Sequence, residues 1–206
     1  MKLLIMGPPG AGKGTQAKIL SQKYSLVHLS TGDILRKEID KKSSTGLEAQ
    51  KYMNAGNLVP DDVLLAMMKS TLTELKDQGV ILDGFPRTIP QAEGLSNIFK
   101  SLNQKIDGII NIEVDKNILI ARLIERAKNS GRADDTEEVI VNRQNVYLDL
   151  TAPLIEFYKN DIINIENRAK FNQITPKSIT YQCFLFKFDF SAYNTFSFAI
   201  RPNTCV

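Results

Sequence analysis

A three-layer α/β fold, with a parallel five-stranded sheet flanked by helices, is what this sequence predicts, and three observations carry the prediction. Five short apolar runs alternate with longer helix-like segments, which demands crossover connections and so makes the strands parallel. A glycine-rich turn joins the first apolar run directly to a helix. The 206 residues are 43% hydrophobic and 24% charged, values that suit one large domain with small insertions and argue against a disordered chain.

The opening reads as a buried strand over Lys2 to Met6, a Gly/Pro-rich turn, and a helix from about Lys13 to Tyr24. Leu26 to Leu29 is a second strand, and Ser30-Thr31-Gly32-Asp33 supplies several oxygens able to cap a following helix. Two short helices fill residues 33 to 55 on either side of the polar stretch Lys41 to Thr45. Pro60 suits a first helical position, so another helix is expected from there to about Asp77. Val80 to Leu82 is a strand, Gln91 to Leu102 a helix, and Ile109 to Val114 a strand. Asp115 then caps a helix with Ile118, Leu119, Leu123 and Ile124 on one face. A charged loop, Ala127 to Asp135, leads into a long helix from Thr136 to about Lys159, bent near Pro153, and Ile162 to Ile165 is the last strand.

Several functional classes are excluded early. The net charge of +3 is uneven: residues 167–206 carry a surplus of +4, so the first 166 sum to −1. That is not the basic body a nucleic-acid partner requires. Two cysteines, Cys183 and Cys205, cannot make a disulfide framework or a four-cysteine metal site. No run approaches the roughly 20 apolar residues of a membrane helix, so no membrane partner is expected. The apolar run Leu3 to Met6 is too short for a signal peptide, and a reducing, cytoplasmic setting is the expectation.

The chemistry is concentrated first in Gly7-Pro-Pro-Gly10-Ala11-Gly12-Lys13-Gly14-Thr15, which fits G-x4-G-K between a strand and a helix. Glycines let successive N–H groups turn inward toward phosphate oxygens, the helix start adds partial positive charge, and Lys13 adds a mobile cation. The plainer alternative is a Gly/Pro turn with a surface lysine; the flanking strand and helix favour the phosphate loop, and so a P-loop fold. Gly14 rather than Ser or Thr follows the lysine, and Thr15 comes one place late, so a loop hydroxyl on Mg²⁺ is displaced. Asp83, at a strand end, is then the expected carboxylate for Mg²⁺, acting through water. His28, the single histidine, is assigned to packing and given no role.

Three more segments join the phosphate loop in order and spacing: Ser30-Thr-Gly-Asp-Ile-Leu-Arg36, Leu82-Asp-Gly-Phe-Pro-Arg-Thr-Ile-Pro-Gln91, and Gly131-Arg132-Ala-Asp134-Asp135 followed by Glu137, Glu138 and Arg143. With these blocks the chain, from residue 1 to about 166, resembles the adenylate kinase family in its short-lid form. The resemblance implies a core (1–29, 60–125 and 138–166), a region gripping the nucleoside monophosphate (30–59), and a short lid over the triphosphate (126–137). It implies the family reaction, MgATP and AMP to two ADP, in a monomer whose cysteine-free lid holds no structural zinc. The donor site would be Gly10, Ala11, Gly12, Lys13, Gly14, Thr15 and Arg126. The acceptor site would be Thr31, Arg36, Leu58, Val59, Gly84, Arg87, Gln91, Arg132 and Arg143. Lys13, Arg87, Arg122, Arg126, Arg132 and Arg143 would carry catalysis, with Asp134 and Asp135 orienting lid arginines. Planar guanidinium forks suit phosphate, and this reaction asks mainly for positioning and charge stabilisation. Thr31 and Gln91 favour adenine as the acceptor base; UMP/CMP kinase is the alternative within the family.

The tail does not match. Nine of the sixteen Phe and Tyr residues lie after residue 170. Phe184, Phe186, Phe188 and Phe190 alternate with other residues, a period-two strand pattern repeated by Phe196 and Phe198. A hairpin covering the core, an interaction strand, and a poorly folded end from an altered reading frame all fit it. The last would make the chain a nucleotide-binding protein with impaired turnover.

Overall fold

The computed structural model describes residues 1–130 and 136–166. Expectations for Arg132, Asp134 and Asp135, and for the whole of 167–206 with its aromatic strands and both cysteines, therefore lie outside the described residues. Within them, the first strand, β1 (Lys2–Met6), is buried at every position. A parallel strand covered on both faces has no polar side, so it reads as a continuous apolar run instead of an alternating one.

The chain continues through α1 (Lys13–Tyr24), β2 (Val27–Ser30), α2 (Thr31–Asp40), α3 (Ser44–Asn54), α4 (Asp61–Leu75) and β3 (Val80–Asp83). Then follow α5 (Ile89–Ser101), β4 (Gly108–Glu113), α6 (Lys116–Ser130), α7 (Glu137–Val146), a π turn (Tyr147–Thr151), α8 (Pro153–Phe157) and β5 (Ile162–Glu166). The five strands lie in the order β2-β3-β1-β4-β5, and every pairing is parallel. One face buries Leu4, Met6, Val80 and Leu82 against α4, α5 and α8 through Met68, Leu72, Leu95, Phe99 and Leu154. The other buries Leu3, Ile5, Ile81, Ile110 and Ile112 against Ala17 and Leu20 of α1 and Leu119 of α6.

Local chemistry explains most boundaries. Ser30 caps α2 by accepting the Asp33 N–H, Ser43 caps α3 through the Gly46 N–H, and Thr88 caps α5 through the Gln91 N–H. The α5 helix thus starts two residues before Gln91, with Pro90 in its first turn. Asp115 accepts the Asn117 N–H at 2.8 Å, as expected of a cap. Four expectations need correction. Pro60 stands just outside α4 in extended backbone, not at its first helical position. Residues 127–130 continue α6 rather than opening a loop. Ile124 is 43% exposed, because the buried stripe of α6 runs through Leu119 and Leu123. The expected long helix from Thr136 is divided by the π turn ahead of Pro153, where Ala152 N–H reaches back to Tyr147 O at 2.8 Å. No helix among the described residues is long and apolar enough to cross a membrane.

Candidate active site

In a sheet of this order the connections that leave the adjacent strands β1 and β3 run in opposite directions, to β2 and to β4, and ligand crevices form at the carboxyl ends of strands at such a switch. The loop after β1 and the end of β3 meet there, with Ile5 paired to Asp83. Gly7, Gly10 and Gly12 all have positive φ (137°, 87° and 92°), backbone that a side chain would strain. At Gly7 a Cβ would also strike the Ile112 carbonyl. Ala11 N–H closes the turn on the Pro8 carbonyl at 3.1 Å. Gly12 provides no side-chain cap for α1, and no acidic residue lies in that helix's first turn. The first N–H groups of α1 therefore have no side-chain acceptor, and such a helix start favours an anion.

Lys13 folds back over this loop, its Nζ donating to the carbonyls of Gly7 at 2.8 Å and Pro8 at 3.0 Å. Burial of the ammonium lowers its pKa to about 8; Asp83 opposes the shift, while Arg87, Arg126 and Arg143 add to it. In the free protein the charge is present below that value and is lost as pH rises through it. We therefore expect kcat/KM for a triphosphate donor to be flat below pH 8 and to fall about tenfold per pH unit above it. Lys13→Arg, whose charge does not titrate, should lack that alkaline limb in a pH–rate profile, whatever its absolute rate.

A cavity of about 770 Å³ opens beside the loop and is lined by Lys13 together with Arg36, Arg87, Arg122, Arg126 and Arg143. The arginines come from four places in the fold: α2, the turn after β3, α6 (which supplies both Arg122 and Arg126) and α7. Arg36 lies on α2 and is paired with Asp33 at 2.6 Å. Arg87, beyond β3, donates from Nε to the Gly84 carbonyl at 2.8 Å. Arg122, on α6, is buried and reaches within 3.5 Å of the Gly10 and Ala11 carbonyls; burial lowers its pKa. Gly10, Gly12, Gly14, Thr15, Leu58 and Gly84 also face this space, whereas Ala11 is fully buried beneath it.

A smaller recess adjoins the cavity, and Thr31, Leu58, Val59, Gly84, Arg87 and Arg143 are on its wall. Thr31 Oγ1 donates to the Gly84 carbonyl at 2.9 Å. Gln91 departs from expectation by lining neither space. It is fully buried; its Oε1 accepts the Arg87 N–H at 2.8 Å and its Nε2 donates to Asp61 at 2.6 Å.

The residues at Asp83 fit a hydrated Mg²⁺. Its carboxylate sits 3.2 Å from where a Cβ at Gly14 would lie, directly beneath the phosphate loop, and it lines the cavity. A side chain at Gly14 would crowd that carboxylate, and a single carboxylate beside an open cavity suits a Mg²⁺ that keeps most of its waters. His28, given no role above, lines the cavity too, with Nε2 3.2 Å from Asp83 Oδ2. Among the described residues no three His, Cys, Asp or Glu side chains converge.

Other cavity residues had no local signature in the sequence. The π turn places Tyr147 and Thr151 on the wall, and Thr151 Oγ1 donates to the Arg87 carbonyl at 2.9 Å. Burial, and secondarily Glu113, raises the Tyr147 pKa. Asp61, which accepts from both Thr88 Oγ1 and Gln91 Nε2, was not singled out by the sequence.

Comparison with known proteins agrees with this geometry. A family model described as adenylate kinase matches residues 5–163. Adenylate kinase of Corynebacterium glutamicum (strain R) is 46% identical over 180 residues, covering 87% of this chain and 97% of the relative. Adenylate kinase of Leptospira biflexa serovar Patoc (strain Patoc 1 / Ames) is 50% identical over 159 residues, 77% of this chain and 86% of the relative. That of Synechococcus sp. (strain WH7803) is 47% identical over 178 residues, 85% and 95% of the two chains. An alignment of 180 residues continues past Glu166, where the motif-based resemblance stops.

Proposed function

The chain belongs to the adenylate kinase family and is a nucleoside-monophosphate kinase; from that premise we propose how its residues transfer the terminal phosphoryl group of MgATP to AMP, giving two ADP. The observation that carries the reading is the convergence of Lys13 and five arginines on one cavity that opens at the phosphate loop. Two polyanions must meet end to end in this reaction, and cations arriving from several directions are what offset their repulsion.

The donor triphosphate lies along the N–H groups of Gly10, Gly12, Lys13, Gly14 and Thr15, with Ala11 closing the turn beneath it and Arg126 and Arg122 beside it. Lys13 exchanges its carbonyl partners for phosphate oxygens. AMP occupies the recess, its phosphate held by Arg36 and Arg87 and its base by Thr31 and the main chain at Leu58, Val59 and Gly84. Gln91 donates one N–H to Asp61; the second N–H of its amide is the one we assign to adenine. A phosphate oxygen of AMP then forms its bond to the γ-phosphorus as the bond to the β–γ bridging oxygen breaks, while Arg143, Arg87 and Arg132 stabilise the charge in flight. Asp83 would hold Mg²⁺ through water. When bound with ATP, that ion neutralises part of the β- and γ-phosphate charge. The segments 30–59 and 126–137 close over the two nucleotides around a core of 1–29, 60–125 and 138–166, with Asp134 and Asp135 orienting the lid. Closure excludes water, and reopening limits turnover. The family resemblance supports a monomer acting in the cytoplasm without zinc.

A coupled assay offering AMP, CMP and UMP with MgATP tests the reading. Turnover with AMP alone is expected; turnover with CMP or UMP instead, or ATP binding without turnover, would overturn it. Arg87→Ala is expected to raise KM for AMP by about tenfold or more, consistent with loss of a charge-assisted phosphate contact, and to change KM for ATP far less. Equal changes would contradict the assignment of Arg87 to the acceptor.

A further inference from the structure

Helix α7 touches both nucleotide subsites through side chains that the reaction itself does not use. On one side it rests on the end of α3. That helix closes in an arrangement where Gly56 N–H bonds the Met53 carbonyl at 3.0 Å and Asn57 N–H bonds the Tyr52 carbonyl at 2.9 Å. Gly56 has φ +74°, and a Cβ there would lie 3.1 Å from the Val139 carbonyl and 3.3 Å from Arg143 Cγ, so α7 is seated directly on it. Two acceptors of this turn remain for an outside donor, the Ala55 carbonyl and the Asn57 side-chain oxygen. Asn142 Nδ2 reaches both, at 2.7 Å and 3.0 Å, and a primary amide has two hydrogens to give. Leu58 and Val59 follow at once, and Gly56, Asn57, Leu58, Val59 and Arg143 share the wall of the acceptor recess.

On its other side α7 meets the phosphate loop. Gln144 Nε2 donates to the Pro9 carbonyl at 3.0 Å, inside the turn that Ala11 closes on Pro8. Positions 142 and 144 are about 200° apart around a helix, so their amides leave it in opposite directions, with Arg143 between them.

We propose that α7 is a strut that keeps the two subsites in register, Asn142 being a positioning residue for the acceptor recess and Gln144 a positioning residue for the donor loop. The proposal rests on the kinase reading above. Both ties are neutral hydrogen bonds, so they hold loop geometry without adding charge to a site already crowded with cations, and salt does not screen them. Each acts on one substrate because each fixes the backbone of one subsite.

Steady-state kinetics on the full-length enzyme, with AMP and MgATP varied in turn, test the assignment. Asn142→Ala is expected to raise KM for AMP by about tenfold, the scale of two lost hydrogen bonds, with KM for ATP changed less than about twofold. Gln144→Met, which keeps the length of the side chain, is expected to raise KM for ATP by about fivefold and to leave KM for AMP nearly unchanged. The opposed pattern should persist at high salt. Asn142→Ser serves if Asn142→Ala does not fold. A fall in melting temperature with both KM values moving together marks a merely structural role and overturns the proposal, as does a reversed split or no split at all. Wild-type enzyme that fails to phosphorylate AMP overturns the kinase reading and this inference together. Active wild type with unsplit variants overturns only the inference.

Discussion

Lys13→Met is expected to lower kcat by about three orders of magnitude or more, the scale seen when a cation that stabilises a transferring phosphoryl group is lost. Methionine matches the length of the stem while removing the ammonium, so the change isolates charge from packing. In the free protein that ammonium bonds the Gly7 and Pro8 carbonyls, and its burial already depresses its pKa to about 8. A charge held at such cost in the open site becomes favourable once phosphate arrives, so most of its effect belongs to the step where negative charge is densest. KM for ATP should therefore move much less than kcat. Single-turnover measurements, with a melting curve to confirm that the loop carbonyls tolerate the loss, check this. An unimpaired Lys13→Met enzyme would remove the phosphate-loop argument altogether.

Arg143→Ala is expected to cost a similar factor, about 10³ in kcat, by analogy with other arginines that stabilise phosphoryl transfer. Arg143 lines both the large cavity and the smaller recess, where the proposed donor and acceptor sites meet. Its field is also one of those that lower the Lys13 pKa. Removing it should thus do two things at once: slow the chemistry and move the alkaline limb of kcat/KM above pH 8. A slow enzyme with an unshifted limb would mean that Arg143 acts only by shape.

How far the sequence revealed this site depends on how local each signal is. The phosphate loop, the Ser30 cap and the five strands were legible because each is written in neighbouring residues: glycines where φ is positive, hydroxyls where N–H groups need acceptors, apolar runs where both sheet faces are covered. Ile124 was assigned to the buried face of α6 because periodicity gives a stripe without saying how wide its cover is; only Leu119 and Leu123 meet the core. The π turn before Pro153 was hidden for a related reason, since one proline suggests a bend but not the extra residue that carries Thr151 to the Arg87 carbonyl. Gln91 was matched to adenine by family position, yet its nearest partners are Asp61 and the Arg87 backbone. Asn142 and Gln144 were invisible in sequence: an amide on a helix surface looks the same whether it meets water or a carbonyl more than eighty residues away.

The position of β1 at the middle of the sheet has a bearing on how the chain is made. Both strands that flank it come much later in the chain, β3 from Val80 and β4 from Gly108. Translation delivers the amino terminus first, so the apolar run Leu3 to Met6 is made before either neighbouring strand, and its bare edges are of the kind that invites aggregation. Gly7, immediately after it, comes to rest against the carbonyl of Ile112. The packing of the phosphate loop is therefore complete only after β4 has been made.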